Sequence, residues 1–430
     1  MNKKFIKKLI GRAGLRTYHH LKSHSSAMYY NYPARGMKVI GITGTNGKTT
    51  TANIVASIFE AAGYKVALLT TIQFRINGKE SINSMKMTAP SASDMNKFIL
   101  KAKDAGCNIL IVEATSHALD QHRFAGINFD TGVLTNITHD HLDYHLTFAN
   151  YVQSKRQLFA RGLRLSVLNI DDKSGKLFLT EPAEMHLIYS LKSHPKSVSL
   201  LKVTKGSEYN ILDIFNPLTN RINKLQTKLF GDFNYQNILA AYSVALGFNI
   251  EMKHIYDGIK SIEFIPGRME SVELGQNFKV IIDYAHTPDA LEKMYKAIND
   301  IYKSSRMISV LGACGDRDKT KRPILGSIAG KNADYIIVTN EDPYTEEPQQ
   351  IIDSVASGIE LGNNNHKIDS TYWKIFDRRE AIAKAFSLAK EGDVVTITGK
   401  GAETTMLWGN EPRPWSDKQV VKEELENIRH

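Results

Sequence analysis

The sequence predicts an α/β protein with a P-loop-containing central domain and a mostly parallel sheet, followed by a smaller Rossmann-like α/β C-terminal domain. Three observations support this prediction. Short apolar runs typical of buried strands alternate with helical stretches. A glycine-rich turn joins the first of these runs to the first long helix, which extends to about residue 62. The alternation stops in a polar region and restarts after Pro266-Gly267, a turn signal.

Helical stretches separate several of the strand-like runs, as crossover connections between parallel strands require. In the first domain these runs are residues 37–43, 65–71, 108–114, 130–137 and 165–170. Residues 171–230 are polar with short apolar runs, so we expect irregular structure there and a helix near 235–246. In the second domain the runs are residues 279–285, 307–313, 334–340 and 393–399. The predicted division is a basic N-terminal segment at 1–36, a central domain at 37–266 and a C-terminal domain at 267–430.

Length and composition exclude several classes of protein. With 430 residues the chain can bury several cores without a disulfide or structural metal. Its two cysteines, Cys107 and Cys314, exclude a disulfide scaffold, a cysteine zinc site and a CxxC redox motif. No apolar run approaches the roughly 18 residues of a membrane span, and the N-terminus lacks the continuous apolar stretch of a signal peptide. We therefore expect a cytoplasmic protein.

The net charge of +10 is concentrated at the N-terminus. Nine lysines and arginines lie within residues 1–38, before the first acidic residue, Glu60, and without them the net charge is +1. A protein that binds nucleic acid more often spreads basic residues over a binding face. The distribution therefore argues against a nucleic-acid partner.

The sharpest local signal is the segment GITGTNGKTT at residues 41–50, which follows a strand and opens a helix. Backbone N–H groups of such a loop can surround phosphates, with Lys48 on the terminal phosphates and the Thr49 hydroxyl on Mg²⁺. The strict motif requires glycine where this chain has Ile42, so the loop is a variant; the alternative is a glycine-rich turn without a ligand. The residues predicted to bind ATP here are Gly44, Thr45, Asn46, Gly47, Lys48, Thr49 and Thr50.

Two further polar clusters end strands, where doubly wound sheets bind ligands. The first is EATSHALDQHR at residues 113–123, whose Glu113 can hold Mg²⁺. The second is THDHLDYH at residues 138–145, with three histidines and two aspartates that suggest metal or phosphate chemistry. No HExxH spacing is present, which disfavours a zinc hydrolase. The alternative for each polar residue is an ordinary surface loop or a structural histidine.

Together with these segments, further motifs resemble the Mur ligase family over about residues 38–430. Among its branches the resemblance is closest to MurE, which adds the third amino acid of the peptidoglycan stem peptide. The motifs that carry it are MTAPS (87–91), YVQSKRQLF (151–159), GDFNYQN (231–237), PGRME (266–270), DYAHTPDALE (283–292), GACGDRDKTKRP (312–323), TNEDPYTEEP (339–348) and GKGAE (399–403).

The resemblance implies an ATP-dependent amide ligase of peptidoglycan synthesis. ATP would phosphorylate the acceptor's carboxylate, and the incoming amine would attack the acyl phosphate, with two Mg²⁺ ions offsetting the charge. The implied catalytic residues are Lys48, Glu113, His141 and Lys155. The implied metal ligands are Thr49, Glu113, His141 and Lys155, the last as a carbamate. The alternative for Lys155 is a solvated lysine on an amphipathic helix.

The same resemblance implies the substrate contacts. Thr88, Ser116, Gln121 and Arg123 match positions that hold the muramoyl-peptide acceptor, and Asn237, Arg268, Asp283 and His286 match nucleotide-contacting positions. Alternatively, Asn237 caps a helix and Arg268 forms an interdomain ion pair. The amino acid would be bound by Arg317, Asp342, Tyr344, Gly399 and Glu403.

The amino-acid pocket differs from that of the diaminopimelate-specific members, which carry Asp-Asn-Pro-Arg. This chain has Glu341-Asp342-Pro343-Tyr344, and Tyr344 cannot supply a cation for a second carboxylate. An anionic pocket favours a distal ammonium. We therefore predict L-lysine or a similar diamino acid rather than meso-diaminopimelate, unless Lys319 or Arg322 replaces the missing arginine.

Only about 36 residues precede the phosphate loop, too few for the uridine-binding domain that is usual in MurE. We therefore expect weaker selectivity for the uridine of the acceptor. Phe5, Ile6, Leu9 and Ile10 recur at helical spacing beside lysines. Such a helix can pack on the neighbouring domain, or residues 1–30 can contact an anionic membrane peripherally or meet a diphosphate.

Two other classes of function stay open at the level of sequence. One is another ligase of the superfamily, such as a folylpolyglutamate synthase or the subunit that amidates peptidoglycan precursors, although the zinc-ribbon cysteines usual in the latter are absent. The other is a P-loop nucleic-acid-binding or regulatory ATPase, which would leave the GKGAE and GDRD motifs unexplained. We predict small-molecule substrates and a monomer.

Overall fold

The computed structural model describes residues 3–82, 90–206, 208–409 and 411–429. They divide into two compact units. The first comprises residues 1–138 and 145–263, and the second comprises residues 139–144 and 264–430. Among the described residues, no helix is both long enough and apolar enough to span a membrane.

The first unit contains one eleven-stranded sheet in the order β11-β10-β9-β8-β7-β6-β1-β5-β2-β3-β4. Its inner strands, from β9 to β2, run parallel, and antiparallel hairpins extend both edges. The strands are β1 Lys38–Thr43, β2 Val66–Leu69, β3 Gln73–Ile76, β4 Lys79–Ile82, β5 Ile109–Glu113, β6 Thr131–Leu134, β7 Leu163–Asn169, β8 Ala183–Ser190, β9 Ser197–Thr204, β10 Asn210–Asn216 and β11 Arg221–Thr227.

Helices cover this sheet, and one 3₁₀-helix, Gly175–Thr180, follows β7. The α-helices are α1 Lys3–Tyr29, α2 Lys48–Ala61, α3 Ala92–Asp104, α4 Ser116–Asp120, α5 Leu142–His145, α6 Phe148–Phe159, α7 Asp232–Gly247 and α8 Met252–Lys260. Helix α2 packs against α7 and α8, while α1 packs against α3. The buried contact between α2 and α7 connects the first and last parts of this unit.

The topology brings the carboxyl ends of three strands together. Strand β1 pairs in parallel with β5 on one side and β6 on the other, with Ile42 opposite Glu113 and Thr43 opposite Leu134. These strands are almost wholly buried, as parallel strands covered on both faces are. The loops that follow Thr43, Glu113 and Leu134 therefore lie at one edge of the sheet.

The expectation of irregular structure at 171–230 is wrong. This region forms β8 to β11, which extend the sheet, and β10 alternates buried with half-buried residues along its length. Strands β8 and β9 are parallel but partly exposed, and the antiparallel strands β10 and β11 form the edge, so all four need fewer apolar residues than fully covered parallel strands. Their polar, alternating composition therefore resembles that of a loop when only continuous apolar runs are sought.

The second unit contains a six-stranded sheet in the order β12-β13-β17-β14-β15-β16, parallel except for β12. Two apolar cores cover its faces. The strands are β12 Glu270–Ser271, β13 Lys279–Asp283, β14 Met307–Leu311, β15 Tyr335–Val338, β16 Tyr372–Lys374, β17 Val394–Thr398 and a separate hairpin, β18 Thr405–Trp408 with β19 Glu411–Pro414. The helices are α9 Pro288–Ile301, α10 Lys321–Asn332, α11 Pro348–Ala356, α12 Ile359–Gly362, α13 Arg378–Leu388 and α14 Asp417–Arg429.

Candidate active site

The loop between β1 and α2 has a conformation that depends on its glycines. Gly47 precedes α2 with φ +83°, and a Cβ there would lie 2.3 Å from Asn237 Oδ1. At Gly44, φ is +153° and a Cβ would lie 1.8 Å from Thr135 Oγ1. Asn46 N–H donates to Asn136 Oδ1 over 3.0 Å, which fixes the turn to the loop after β6. The N-terminus of α2 thus has the arrangement of a phosphate-binding loop.

Two lysine ammonium groups converge on this loop. Lys48 donates to the carbonyl oxygens of Gly44 over 3.0 Å and Thr45 over 2.7 Å. Lys155, from α6, donates to the same Gly44 carbonyl over 2.9 Å. Its side chain is almost wholly buried, at 1% exposed, and its ammonium lies 4.4 Å from the ring centre of Tyr151. The alternative of a solvated lysine on an amphipathic helix is therefore wrong.

A cluster of buried oxygens lies beside the loop. Thr49 Oγ1 donates to Glu113 Oε1 over 2.8 Å. Thr71, which follows β2, donates to the same carboxylate through its N–H over 3.0 Å and its hydroxyl over 2.9 Å. Hydroxyl and carboxylate oxygens are hard donors of the kind that Mg²⁺ prefers. Thr49 and Glu113 therefore fit a magnesium site chemically.

Asn237 lies within α7 rather than at its cap. Its Oδ1 accepts a hydrogen bond from Thr51 Oγ1 over 3.2 Å, across 186 residues of sequence. Since the same oxygen lies against Gly47, the helix that carries Asn237 forms one wall of the loop. The helix-capping interpretation of Asn237 is therefore wrong.

Three of the predicted acceptor residues lie in the first unit near the end of β5. Ser116 Oγ lies 3.0 Å from His145 Nε2. Arg123 donates to Gln121 Oε1 over 3.0 Å and 2.7 Å, so the guanidinium and the amide are held as a pair. Thr88 lies outside the described residues.

His141 belongs to the short segment that clusters with the second unit. It has φ +54°, and its backbone N–H donates to Asp140 Oδ1 over 2.9 Å. Burial opposes ionisation of Asp140, but His141, Lys321 and His286 hold the pKa of this carboxyl well below its usual value. Among the described residues, no group of three or more His, Cys, Asp or Glu side chains could hold a metal ion.

The remaining nucleotide candidates lie at the start of the second unit. The Arg268 guanidinium lies 4.6 Å from the ring centre of Tyr284. Asp283 accepts the N–H groups of Met269 and Ala285, each over 2.7 Å, and burial raises its pKa. Burial, together with the charge of Lys321, lowers the pKa of His286 to about 4, so its imidazole is neutral at pH 7.

The predicted amino-acid residues surround a lysine that the sequence interpretation left without a role. The Lys400 ammonium, 0% exposed, donates to Asp342 Oδ1 over 3.0 Å and to Glu403 Oε2 over 2.6 Å. Burial opposes the charge of Lys400, but Glu403, Asp342 and Glu341 raise its pKa above the usual value. The expectation that Glu341, Asp342 and Glu403 make this pocket simply anionic therefore needs correction, because the buried Lys400 ammonium pairs with Asp342 and Glu403.

Two more of the predicted amino-acid residues contact each other. Arg317 donates to the Tyr344 hydroxyl over 3.3 Å and lies 5.0 Å from the centre of its ring. Gly399 has φ +105°, and a Cβ there would lie 2.3 Å from Glu341 Oε2. Cys314 Sγ donates to the other oxygen of Glu341 over 2.9 Å. Lys319 and Arg322, which were considered as replacements for the missing arginine, both pair with Glu346.

Family models match both units, "Mur ligase middle domain" at residues 42–245 and "Mur ligase, glutamate ligase domain" at residues 267–401. The chain belongs to the Mur ligase family. Mur ligases are ATP-dependent ligases that use Mg²⁺, so the phosphate loop beside Thr49 and Glu113 has the chemistry that this family requires. The predicted family and fold class are thus confirmed.

Relatives within the Mur ligase family match most of the chain. A protein named UDP-N-acetylmuramoyl-L-alanyl-D-glutamate--2,6-diaminopimelate ligase from Clostridium tetani is 36% identical over 408 residues, 94% of this chain and 81% of its own length. A UDP-N-acetylmuramyl-tripeptide synthetase from Roseiflexus is 33% identical over 421 residues, with coverage of 94% and 81%.

Solved Mur ligase structures share the fold. The structure of a UDP-N-acetylmuramoyl-L-alanyl-D-glutamate--2,6-diaminopimelate ligase matches with a TM-score of 0.60 and 27% identity, covering 92% of this chain and 80% of that one. The folylpolyglutamate synthase of Mycobacterium tuberculosis has a TM-score of 0.73 at 19% identity, covering 88% and 92%. At 19% identity, the similarity to the folylpolyglutamate synthase is evidence for a shared fold only.

Sequence reasoning missed three residues that contact the Mur ligase site candidates. Thr71 holds Glu113, Asn136 holds the phosphate loop, and Lys400 joins Asp342 to Glu403. A signal existed for two of them. Thr71 follows a strand that ends beside β5, and Lys400 lies three residues before Glu403 within the GKGAE motif at 399–403. Asn136 lies within the predicted strand at residues 130–137, which did not indicate a contact with the phosphate loop.

Proposed function

We propose that the protein joins an amino acid to a UDP-MurNAc-dipeptide-type acceptor in peptidoglycan synthesis, through an acyl-phosphate intermediate. The observation that best supports this function is the convergence of Lys48 and Lys155 on the Gly44 carbonyl, beside Thr49 and Glu113. Phosphoryl transfer needs little covalent help from the protein, and it depends on positioned cations around the phosphates. The loop supplies Lys48 as such a cation, together with N–H donors at the start of α2, and Thr49 and Glu113 could hold Mg²⁺ beside it.

In the proposed reaction, the terminal phosphate of ATP moves to the acceptor's carboxylate, and ADP leaves. The amine of the incoming amino acid then attacks the acyl carbon, so an amide bond forms and phosphate departs. Lys48 would neutralise charge on the transferring phosphate. Bound Mg²⁺ would polarise the phosphate oxygens. Thr49 and Glu113 would hold the ion, with His141 as a further ligand.

Lys155 is proposed to act as a carbamate, formed when its neutral amine adds to CO₂ and loses a proton. An ammonium would repel a second Mg²⁺, whereas a carbamate supplies anionic oxygens. Its position supports this role, since the side chain is 1% exposed and its Nζ lies 2.9 Å from the Gly44 carbonyl oxygen of the phosphate loop.

Ser116, Gln121, Arg123 and Thr88 are proposed to hold the acceptor. The Arg123 guanidinium, oriented by Gln121, can donate two parallel hydrogen bonds to a carboxylate or phosphate. Arg268, Asp283 and His286 are proposed to contact the nucleotide, together with Asn237. A neutral His286 imidazole adds no charge there at pH 7.

For the amino acid, we propose L-lysine or a similar diamino acid, with Arg317 on its carboxylate. Glu341, Asp342 and Glu403 lie around Lys400, so acidic side chains outnumber this buried ammonium. The surplus favours a distal ammonium over the second carboxylate of diaminopimelate. Relatives named for diaminopimelate make that substrate the alternative.

The deciding experiment offers UDP-MurNAc-L-Ala-D-Glu, ATP and Mg²⁺ with a panel of amino acids, and measures ADP release and product mass. We expect a tripeptide product with lysine or ornithine. A higher kcat/KM for meso-diaminopimelate would overturn the amino-acid preference. Absence of any tripeptide, with turnover on folate or lipid-linked acceptors instead, would overturn the function.

A variant series tests the role of Lys155. We expect Lys155→Ala to lose activity at least a hundredfold and to recover part of it with small carboxylates, because these can replace the carbamate. Lys101→Ala, which removes an exposed lysine of the same unit, serves as the control and keeps wild-type activity. Wild-type turnover in Lys155→Ala would remove Lys155 from the site.

Three statements about assembly, location and membrane contact stay predictions from the sequence. They are a monomeric state, a cytoplasmic location and peripheral membrane contact through residues 1–30. Light scattering after gel filtration tests the first, cell fractionation the second, and sedimentation with anionic vesicles the third.

A further inference from the structure

A basic cavity lies in the first unit between the C-terminal half of α1 and the loop that follows α4. Its volume is about 440 Å³, within the range of small-ligand sites, about 300–1,000 Å³. Five of its ten lining side chains are basic, and none is a carboxylate. The basic residues are His20, His24, Arg35, His122 and Arg161.

The basic groups come from two sides of the cavity. The His20 ring centre lies 4.6 Å from that of His24 on α1 and 5.1 Å from that of His122 on the opposite loop. The Arg35 guanidinium lies 4.2 Å from the ring centre of Tyr32, and both residues line the cavity. Arg161, which follows α6, donates to the Ile127 carbonyl over 3.4 Å and lines the cavity.

The wall formed by α1 is built into the fold. Ala27 is completely buried, and its Cβ would lie only 2.5 Å from a Cβ at Gly126, which has φ +83°. Glycine at this position therefore lets the helix approach the loop. Asn96 of α3 donates to Ser26 over 3.2 Å, which anchors the helix from another side.

The cavity carries positive charge without a carboxylate to balance it. Among the described residues, neither Arg35 nor Arg161 forms an ion pair, whereas nearby Lys38 and Arg164 both pair with Asp130. Guanidinium groups match phosphate oxygens geometrically, and imidazole N–H groups add further donors. An anion with oxygens on two sides would satisfy both walls.

We propose that this cavity binds a diphosphate, the group through which the acceptor's sugar is joined to its carrier. The proposal rests on the function proposed above and extends it to how the acceptor is held. A nucleotide-linked and a lipid-linked sugar present the same diphosphate, so the cavity chemistry is common to both. Guanidinium and imidazole N–H donors on two walls fit a two-phosphate ligand better than a single phosphate.

The test measures pyrophosphate binding by isothermal titration calorimetry to the full chain. Lys48→Met is measured in parallel, because the phosphate loop also binds phosphates. We expect the double variant Arg35→Gln/Arg161→Gln to weaken pyrophosphate binding at least tenfold. The matched control is Lys22→Gln, which removes an exposed charge from α1 away from the cavity and changes affinity less than twofold. Arg35→Lys/Arg161→Lys keeps the charge and most of the affinity.

Unchanged affinity in the glutamine double variant, with a wild-type unfolding midpoint, overturns the proposal. Binding that disappears in Lys48→Met but survives in the double variant overturns it as well, since the phosphate loop is then the site. Two further ligands distinguish the carriers. Tighter binding of UDP indicates a nucleotide-linked acceptor, and tighter binding of farnesyl diphosphate in micelles indicates a lipid-linked one.

The amino-acid panel separates this proposal from the proposed function. If the protein synthesises the tripeptide but does not bind diphosphate at the cavity, the proposed diphosphate site is refuted and the ligase function stands. Diphosphate binding without synthesis on any UDP-linked or lipid-linked acceptor refutes the ligase function and leaves the site standing.

Discussion

Replacing Lys400 by methionine tests whether the C-terminal unit depends on a buried cation. The side chain has no exposed surface and joins Asp342 and Glu403 at 3.0 and 2.6 Å. Removing one partner of a buried ion pair costs about 3–5 kcal/mol, because the other charge stays buried without compensation. Methionine has a similar length, so it fills the space without leaving a large cavity.

The two carboxylates contribute unequally to this cost. Asp342 is 9% exposed, and without Lys400 it keeps the Leu407 N–H donor at 2.7 Å. Glu403 is 34% exposed, so solvent screens part of its charge. The lower end of the range therefore applies, and we expect Lys400→Met to lose about 3 kcal/mol of unfolding free energy at pH 8.

The loss should depend on pH in a definite direction. Burial raises the pKa of Glu403 even though Lys400 lowers it, so removing Lys400 raises this pKa further. An acid whose folded pKa exceeds its unfolded value of about 4.5 destabilises the fold as the pH rises through that interval. The variant should therefore lose less stability at pH 5 than at pH 8.

All three tryptophans, Trp373, Trp408 and Trp415, lie in the second unit, so tryptophan fluorescence during urea unfolding reports on it alone. The control is Lys374→Met, whose half-exposed pair with Asp353 should contribute no more than about 1 kcal/mol. A loss below 1 kcal/mol in Lys400→Met, or one that does not change between pH 5 and pH 8, would refute the reasoning.

Three further substitutions test the first unit. Gly47→Ala introduces a Cβ 2.3 Å from Asn237 Oδ1 at φ +83°, so we expect ATP affinity to fall at least tenfold, with partial recovery in Gly47→Ala/Asn237→Ala. Glu113→Gln can still accept from Thr49, so it should keep the unfolding midpoint while the Mg²⁺ concentration for half-maximal activity rises at least tenfold; an unchanged Mg²⁺ dependence would exclude Glu113 as a ligand. Gly126→Ala displaces α1, and calorimetry should show a lower melting temperature together with weaker pyrophosphate binding.

The sequence predicted most of the parallel strands because buried parallel strands are continuous apolar runs. Strands β1, β5 and β17 lie within the predicted ranges. Strands β8 to β11 were not predicted, because many of their side chains are only partly buried and the strands lack continuous apolar runs. The hairpin of β3 and β4 was also not predicted, although its Asn77-Gly78 turn, with φ of +47° and +77°, is typical of a β-hairpin.

Site residues were predictable from the sequence where a single short motif contains all the residues that act together. Lys48 and Thr49 lie in such a motif, and their neighbours at the end of β1 follow from the parallel sheet. Contacts between distant segments were not predictable from local pattern. No spacing rule indicates that Thr71 donates to Glu113, or that Lys400 rather than a substrate meets Glu403.

The contact between α7 and the phosphate loop has a consequence for biosynthesis. The loop is synthesised early, but Asn237, which forms its wall, lies 186 residues after Thr51. Contacts this distant in sequence form slowly, and domains are completed only when all of their segments have emerged from the ribosome. A nascent chain that stops before α7 therefore carries the complete loop sequence but not the pocket, so nucleotide cannot stabilise the unit until it is nearly finished.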